Sequence, residues 1–357
     1  MNSPLLINLS FLIAEPTGLM IYGRNIFTHL QSLNPTLLTA NNIDNFKCYP
    51  VPPNLSAEHG TKGHLRRLLW TQLQLPKIYQ KLHSHLLFSP IPEAPLNTNT
   101  RYIVTVHDLI PLRFPNSRSP LTYYSRYYIP QVLSQAEHIL CNSIATAKDI
   151  RDYFQIPEKK ITPILLAHNA QHFRFLDLPT SNYFLYIGRH DKYKNLQRLI
   201  DAFAALPSSR DCELWIAGPT DQRFTPVLQE QAIQLGVSNQ VKFLNYVTYE
   251  QLPIIINQAI ALVFPSLWEG FGLPVLEAMA CGTPVITSNL SALPEVAGDA
   301  AILVNPYNTG EITEAMQTIV NDSGLRSHLR TLSLNQASQF SWEKTGLATA
   351  EVLKGYM

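Results

Sequence analysis

The stretch ALVFPSLWEGFGLPVLEAMACGTPVITSNLSALPEVAG, residues 261–298, determines the fold of this chain. It begins with an apolar run, residues 261–264, that is short enough for a buried parallel strand. After a glycine-bearing loop, Pro274 stands where a helix would begin and Gly282 where it would end. A second apolar run, residues 284–287, follows. The pattern predicts a βαβ unit whose loop lies at the carboxyl end of a strand, where open α/β sheets bind ligands.

Two carboxylates lie in this predicted unit. Glu269 is in the loop, and Glu277 comes eight positions later, in the expected first turn of the helix. Gly270 and Gly272 allow a ligand to approach the backbone, and free amides at a helix start favour anionic or hydroxyl-rich groups. By spacing alone, the two glutamates also fit solvated helix charges, or the acid and base of a glycoside hydrolase.

The filled pattern Glu269-GFGLPVL-Glu277, continuing as AMACGTPVI, resembles the signature of retaining GT-B glycosyltransferases of family four. This resemblance implies two Rossmann-like, doubly wound parallel-sheet domains facing a central cleft, with a last helix that crosses back to the first domain. It implies that Glu277 holds the ribose of a nucleotide donor. It also implies that Glu269 and the backbone from Gly270 through Phe271 and Gly272 to Leu273 hold the transferred sugar.

Length and composition suit two soluble domains. The chain has 357 residues, of which 46% are hydrophobic and 15% charged, and its net charge of +1 gives no general attraction to nucleic acid. The four cysteines have no metal-ligand spacing, so we expect buried free thiols in a reducing compartment. They are Cys48, Cys141, Cys212 and Cys281.

The first residues, MNSPLLINLSFLIAEP, lack a basic region, and their apolar run is too short to span a membrane. We expect them to form a first strand, over residues 5–14, of a cytoplasmic protein. The basic segment HLRRLLWTQLQLPKIYQKL, residues 64–82, leaves peripheral contact with the inner face of a membrane open. Arg66, Arg67 and Lys77 are the candidate contacts to anionic lipid, and a solvated helix face is the alternative.

A histidine follows the predicted strand at residues 101–106. His107, next to Asp108, would lie at the mouth of the sheet, where a structural role is the commoner one for an isolated histidine. The family resemblance places a histidine facing the reacting sugar at this position, which makes His107 a catalytic candidate. It also implies that Gly18, at the start of the first helix, lies near the donor diphosphate. Leu19 and Met20 depart from the small residue that the family usually has there.

The second domain is predicted to begin shortly before YFLYI, residues 183–187, which is followed by GRHDKYKN. Arg189 and Lys194 lie between a strand and a helix, where two cations and the helix dipole can bind a diphosphate. GR-x4-K also resembles the family's diphosphate clamp. Asn245 replaces the usual glycine in the loop that lines the base pocket in relatives. The expected domains are residues 1–175 and 176–340, with residues 341–357 packing back on the first.

The resulting prediction is a retaining hexosyltransferase that acts without metal or cofactor. No Asp-x-Asp motif occurs in the sequence. The phrases TVHDLIPLRFP and IGRHDKYKNL resemble bacterial mannosyltransferase-like members, so GDP-mannose is favoured over a UDP-sugar. A glycan or lipid-linked glycan in surface polysaccharide synthesis, such as lipopolysaccharide, would be the acceptor. The alternatives are an inactive nucleotide-sugar-binding protein, a glycoside hydrolase using Glu269 and Glu277, and an epimerase on the same fold.

Overall fold

The computed structural model describes residues 4–13, 18–207, 211–245 and 247–357. It divides into a first unit, Met1–Leu166 with Trp342–Met357, and a second unit, Ala167–Ser341. Residue 14, the end of the predicted first strand, and Tyr246, in the predicted base loop, lie outside the described residues.

The first unit contains a seven-stranded sheet in which every pairing is parallel. Its spatial order, β3-β2-β1-β4-β5-β6-β7, reverses direction between β1 and β4, as in doubly wound sheets. The strands are β1 (Leu5–Asn8), β2 (Thr36–Thr39), β3 (Lys47–Pro50), β4 (Leu86–Ser89), β5 (Tyr102–Val106), β6 (His138–Cys141) and β7 (Ile161–Pro163). Strands β1, β4, β5 and β6 are buried along their whole length, because helices cover both faces.

Among the described residues of this unit, seven α-helices connect the strands, with 3₁₀ segments at Phe27–Leu33, Pro53–Leu55, Ala57–His59 and Glu158–Lys160 and a π segment at Tyr124–Tyr128. They are α1 (Gly18–Ile26), α2 (Gly60–Leu73), α3 (Leu75–Lys81), α4 (Ile110–Arg113), α5 (Pro120–Tyr123), α6 (Ile129–Gln135) and α7 (Ile144–Phe154). Neither reading of Arg67, as a candidate membrane contact or as part of a solvated helix face, agrees with the structure, because the residue is buried. Its guanidinium faces the protein interior and forms a two-pronged ion pair with Glu93, with both N···O distances at 2.7 Å.

The second unit contains a six-stranded parallel sheet in the order β10-β9-β8-β11-β12-β13. Its strands are β8 (Tyr183–Ile187), β9 (Glu213–Ala217), β10 (Val241–Leu244), β11 (Ala261–Phe264), β12 (Val285–Ser288) and β13 (Ile302–Val304). Its helices are α8 (Leu196–Ala204), α9 (Thr225–Gln234), α10 (Leu252–Gln258), α11 (Leu273–Ala280), α12 (Leu293–Ala297), α13 (Thr309–Asn321) and α14 (Ser323–Ala337). The predicted βαβ unit is confirmed as β11, α11 and β12.

The strand order of the second unit reverses between β8 and β11, which pair directly. The loops that leave these two strands therefore diverge to opposite faces and open a crevice at the carboxyl edge of the sheet. These loops, residues 188–195 and 265–272, carry most of the residues that the sequence predicts for the donor.

The last helix, α15 (Trp342–Lys354), belongs to the first unit. Thr345 Oγ1 donates to the carbonyl of Leu165 at 2.8 Å, and the hydroxyl of Tyr356 lies 2.9 Å from His138 Nδ1. At Gly346 the backbone passes so close to His29 that any Cβ would collide with that side chain. The chain thus returns to the first unit through its last helix, as predicted.

The four cysteines are free thiols, and three of them are buried, as expected. In the described part of the chain, no helix combines the length and the apolar character that crossing a bilayer requires.

Candidate functional site

The loop after β8 begins with a backbone turn that only glycine tolerates well. Gly188 has φ +152°, and a Cβ there would lie 2.7 Å from the hydroxyl of Tyr186. That hydroxyl donates instead to the carbonyl of Arg189 at 2.9 Å. The turn therefore has a fixed shape at the point where the two predicted diphosphate cations begin.

Asn195 ends this loop and ties it to two others, a role that the sequence reasoning missed. Its backbone is in the left-handed region, at φ +64°, and its side chain is buried. The amide Nδ2 donates to the carbonyls of Pro265 and Pro306, at 3.0 and 2.7 Å. The loops after β8, β11 and β13 are thereby held at fixed spacing. Apart from glycine, asparagine is among the residues most often found in this conformation. An asparagine directly before the predicted helix could therefore have indicated a left-handed residue at the end of this loop.

Lys194 and Glu269 form the central contact of the site. Lys194 Nζ lies 2.6 Å from Glu269 Oε1, and the two side chains are only 12% and 10% exposed. The ammonium also lies over the rings of Tyr193 and Phe264, 5.1 and 5.4 Å from their centroids. Glu269 is held from the other side, since its backbone amide donates to Ser291 Oγ at 3.0 Å. The structure thus brings together one predicted phosphate ligand and one predicted sugar ligand.

Arg189 has different partners from Lys194. Its side chain is 68% exposed, and its Nε lies 3.2 Å from Asp191 Oδ2. Asp191 is also approached by Arg223, a cation that the sequence reasoning did not select, at 3.8 Å. Arg223 is bound more tightly to Asp221, at 2.6 Å, and this bond lowers the pKa of the Asp221 carboxyl to about 2. The exposed arginine fork is therefore available at the surface, whereas the lysine is part of an internal ion pair.

The start of α11 depends on Gly272. This residue has φ +112°, and a Cβ there would lie 2.7 Å from Leu293 Cδ2. Gly270 and Phe271 are buried, and the ring of Phe271 packs edge-on against Phe340 at 6.2 Å. Leu273 is the first residue of the helix. The predicted sugar-binding backbone therefore lies in a packed turn at a helix amino terminus, where amides and the helix dipole favour oxyanions.

Glu277 lies in the second turn of α11, one turn later than the sequence analysis expected. Burial raises the pKa of its carboxyl to about 8, so it is mostly protonated at neutral pH. Glu277 in turn contributes to a raised pKa of Tyr249, behind burial of that ring. Tyr249 stacks on His172 with centroids 3.7 Å apart. Glu269 and Glu277 thus occupy different environments, one beside a lysine and one in a desolvated pocket.

In the first unit, His107 follows β5 directly. Its Nε2 lies 2.9 Å from the carbonyl oxygen of Pro90, which can only accept, so Nε2 carries the proton and Nδ1 does not. Burial lowers the pKa of the imidazole to about 4. The ring packs edge-on against Tyr22 at 4.8 Å, and the Tyr22 hydroxyl lies 3.1 Å from Thr105 Oγ1. His107 is therefore a neutral, oriented hydrogen-bond acceptor.

Gly18 and Asp108 flank this histidine in the first unit. Gly18 is the exposed first residue of α1, one turn before Tyr22, which contacts the His107 ring. Asp108 Oδ1 accepts from the amide of Ile110 at 3.0 Å, which shapes the turn after the strand. Of this predicted group, His107 has the environment of a functional side chain, whereas Asp108 supports the local backbone.

Two known family models cover all of the predicted site residues except Gly18. The model described as Glycosyl transferases group 1 matches residues 169–333, and the model described as Glycosyltransferase Family 4 matches residues 34–166.

Sequence and structure comparisons agree with these matches. The chain is 30% identical to O-antigen chain mannosyltransferase B of Escherichia coli, over 71% of this chain and 70% of that protein. It is 28% identical to O-antigen chain mannosyltransferase RfbU of Salmonella typhimurium, over 88% and 90%. Among solved structures, sucrose-phosphate synthase of Thermosynechococcus elongatus matches with a TM-score of 0.78 at 19% identity, covering 99% of both chains.

Proposed function

Because the chain belongs to the glycosyl transferases group 1 family, and is therefore a hexosyltransferase with the GT-B fold, we propose the following reaction. The protein transfers mannose from GDP-mannose to a glycan or lipid-linked glycan, with retention of anomeric configuration and without a metal ion. The acceptor belongs to surface polysaccharide synthesis, at the cytoplasmic face of the membrane. Two relatives whose printed names are O-antigen chain mannosyltransferases support the sugar and the acceptor class.

The Lys194–Glu269 ion pair is the observation that carries this proposal. A lysine at 2.6 Å from a carboxylate, at the switch point of a doubly wound sheet, places a cation and a hydroxyl acceptor side by side. A nucleotide sugar presents the same pair of needs, a diphosphate next to sugar hydroxyls. A glycoside hydrolase does not need a cation that binds phosphate, and membership of a glycosyltransferase family also argues against a hydrolase.

The reaction needs stabilisation of a leaving diphosphate. As the bond between the sugar C1 and the phosphate oxygen breaks, its electron pair stays on that oxygen. Lys194, the exposed Arg189 fork and the amides at the start of α11 supply positive charge for it, which supports a reaction without metal. The acceptor oxygen then bonds to C1 on the same face, and its proton passes to the leaving phosphate.

The two glutamates and the histidine have separate parts. Glu269 accepts hydroxyls of the transferred sugar, while Glu277 accepts the ribose hydroxyls and must lose its proton to do so with both oxygens. His107, neutral and unprotonated at Nδ1, accepts a hydrogen bond from the sugar rather than donating a proton. The Gly270–Leu273 backbone offers amides at the start of α11 to the transferred sugar.

Nucleotide binding in EDTA is the first test. The thermal midpoint of the purified protein is measured with GDP, UDP, ADP and CDP in turn. A nucleotide present at a hundred to a thousand times its dissociation constant stabilises the native state by about 3–4 kcal/mol. We expect GDP to give the largest shift. A shift that requires a divalent metal would contradict the metal-free site, and a larger response to UDP would change the donor.

Three variants then separate the site from general effects. Lys194→Ala and Arg189→Ala should each lower the rate of transfer, the first by about a hundredfold or more. Each substitution removes a positive charge that stabilises the departing diphosphate. Lys192→Ala is the matched control, because this exposed lysine lies in the same 3₁₀ turn as Lys194. GDP binding without any transfer to glycan acceptors would favour the inactive nucleotide-sugar-binding alternative.

A further inference from the structure

One face of α2 presents leucines to solvent in a helical stripe. Leu65, Leu69 and Leu73 are spaced four positions apart, so they project from the same side of the helix. The opposite side is the one that packs on the protein, through the buried residues Gly63, Arg67, Trp70 and Thr71. The helix is already packed on the protein through its other side, so the three exposed leucines form an apolar patch of the kind that marks an interaction site.

A second group of exposed apolar side chains lies on the segment that a hydrogen bond from Gln72 of α2 to Tyr128 ties to this helix. It consists of Leu121, Tyr123 and Tyr127, from α5 and the π segment, and the two tyrosine rings stack at 6.2 Å. All six side chains, three leucines of α2 included, are between 53% and 61% exposed. We refer to these six residues as the leucine–tyrosine surface.

One hydrogen bond connects α2 to the π segment that carries Tyr127. Gln72 Nε2 donates to the hydroxyl of Tyr128 at 3.0 Å and to the carbonyl of Ala94 at 3.0 Å. Gln72 lies seven and three positions after Leu65 and Leu69, on the same side of α2. Its contact with Tyr128 therefore sets the π segment against the border of the leucine stripe.

The surroundings of the leucine–tyrosine surface are positively charged. Lys62 and Arg66 flank the stripe on α2, Arg118 and Arg126 flank the tyrosines, and all four are exposed. The sequence contains no Asp or Glu from residue 60 to 92, nor from 109 to 136. Glu93, between these stretches, is buried against Arg67 and so adds no negative charge to the surface.

We propose that the leucine–tyrosine surface binds the anionic surface of a lipid bilayer. Leucines enter the outer edge of the acyl region, tyrosines lie at the level of the headgroups, and the flanking cations contact anionic lipids. A nucleic acid would use the cations but not the leucines. The inference extends the proposed function, because a lipid-linked acceptor would be presented at such a surface, but the binding itself requires no transfer activity.

Vesicle sedimentation of the full-length protein tests the proposal. Vesicles of phosphatidylcholine alone are compared with vesicles of phosphatidylcholine and phosphatidylglycerol in equal parts. We expect sedimentation with the second and little with the first. The triple variant Leu65→Gln, Leu69→Gln, Leu73→Gln should lower the partition coefficient at least about tenfold. Arg66→Gln should lower it about fivefold, an effect that disappears at high salt.

The matched control replaces exposed apolar residues elsewhere on a helix, in Val227→Gln, Ile233→Gln on α9. Thermal midpoints and GDP binding without vesicles show whether each variant is folded. Equal partition of the triple variant and the control variant would overturn the proposal, as would equal binding to both kinds of vesicle. If the protein does not bind vesicles but transfers mannose to a soluble glycan, the membrane inference alone is refuted. If it binds no nucleotide, the proposed function is refuted.

Discussion

The Lys194–Glu269 ion pair gives a prediction about stability as well as catalysis. Replacement of Lys194 by Met keeps the length of the side chain but leaves the Glu269 carboxylate without its cation. Because the two side chains are only 12% and 10% exposed, little water can replace that partner. Breaking a buried pair costs about 3–5 kcal/mol, and the remaining exposure places this one near 3 kcal/mol.

The expected loss corresponds to a thermal midpoint lower by roughly 6–12 °C, on the scale of a unit of this size. Scanning calorimetry of the full chain measures it. Glu269→Gln in the Lys194→Met background should restore most of the midpoint, because the double variant has no unpaired charge. We expect a coupling free energy of about 2 kcal/mol from the double-mutant cycle.

A matched control is the exposed pair Arg101–Glu137, at 2.9 Å but with side chains 45% and 36% exposed. Its disruption should cost less than about 1 kcal/mol. Strictly additive losses for Lys194→Met and Glu269→Gln would refute the argument, and so would a Lys194→Met midpoint equal to that of the wild-type protein.

Three further predictions concern single residues. Glu277 ionises near 4.5 in the unfolded chain and near 8 in the folded one, so its own contribution to stability is fully present below about pH 4.5 and is lost as pH rises to about 8. Glu277→Gln should remove this contribution from a midpoint-against-pH series, and an unchanged slope between pH 4.5 and 8 would contradict the raised pKa. His107→Gln should lower transfer with GDP binding retained, and in the wild-type enzyme a rate inflection near pH 6 assigned to His107 by its loss in the variant would refute the neutral role. Gly272→Ala should cost about 2–3 kcal/mol and weaken GDP binding, whereas Gly236→Ala, strained at φ +72° but facing open space, should cost about 1 kcal/mol and leave binding unchanged. Chemical denaturation measures the free energy of unfolding of both glycine variants, and nucleotide titration measures their GDP binding. Equal losses of stability in the two variants would contradict a steric collision with Leu293 in Gly272→Ala.

The central strands were predictable because parallel strands covered on both faces are almost wholly apolar. Two of them, β8 and β11, match the predicted residues 183–187 and 261–264 at both ends, and β5 and β12 match their predicted bounds to within one residue. β3 was missed, since this edge strand has exposed residues at both ends, Lys47 and Pro50, and so has no apolar run to detect. The π segment was also missed, because its tyrosines are compatible with an ordinary helix.

Contacts between distant residues were the part that sequence could not supply. Lys194 and Glu269 were selected separately, yet their pairing joins positions 75 residues apart. The sequence around Arg67 suggested an exposed residue, at a membrane surface or in solvent, whereas an ion pair with Glu93, 26 positions later, holds it in the interior. The resemblance to a family located the site loops, and the structure assigned partners to their charges.

The discontinuous first unit has a consequence for the order in which the protein is completed. A ribosome finishes every residue of the second unit before it makes Trp342–Met357, the segment that closes the first. Until then, the carbonyl of Leu165 and the ring of His138 lack Thr345 and Tyr356, and the side of His29 that meets Gly346 stays uncovered. The first half of the chain to be synthesised is therefore the last to reach its final packing, and a nascent chain released early would have a complete second unit and an incomplete first unit.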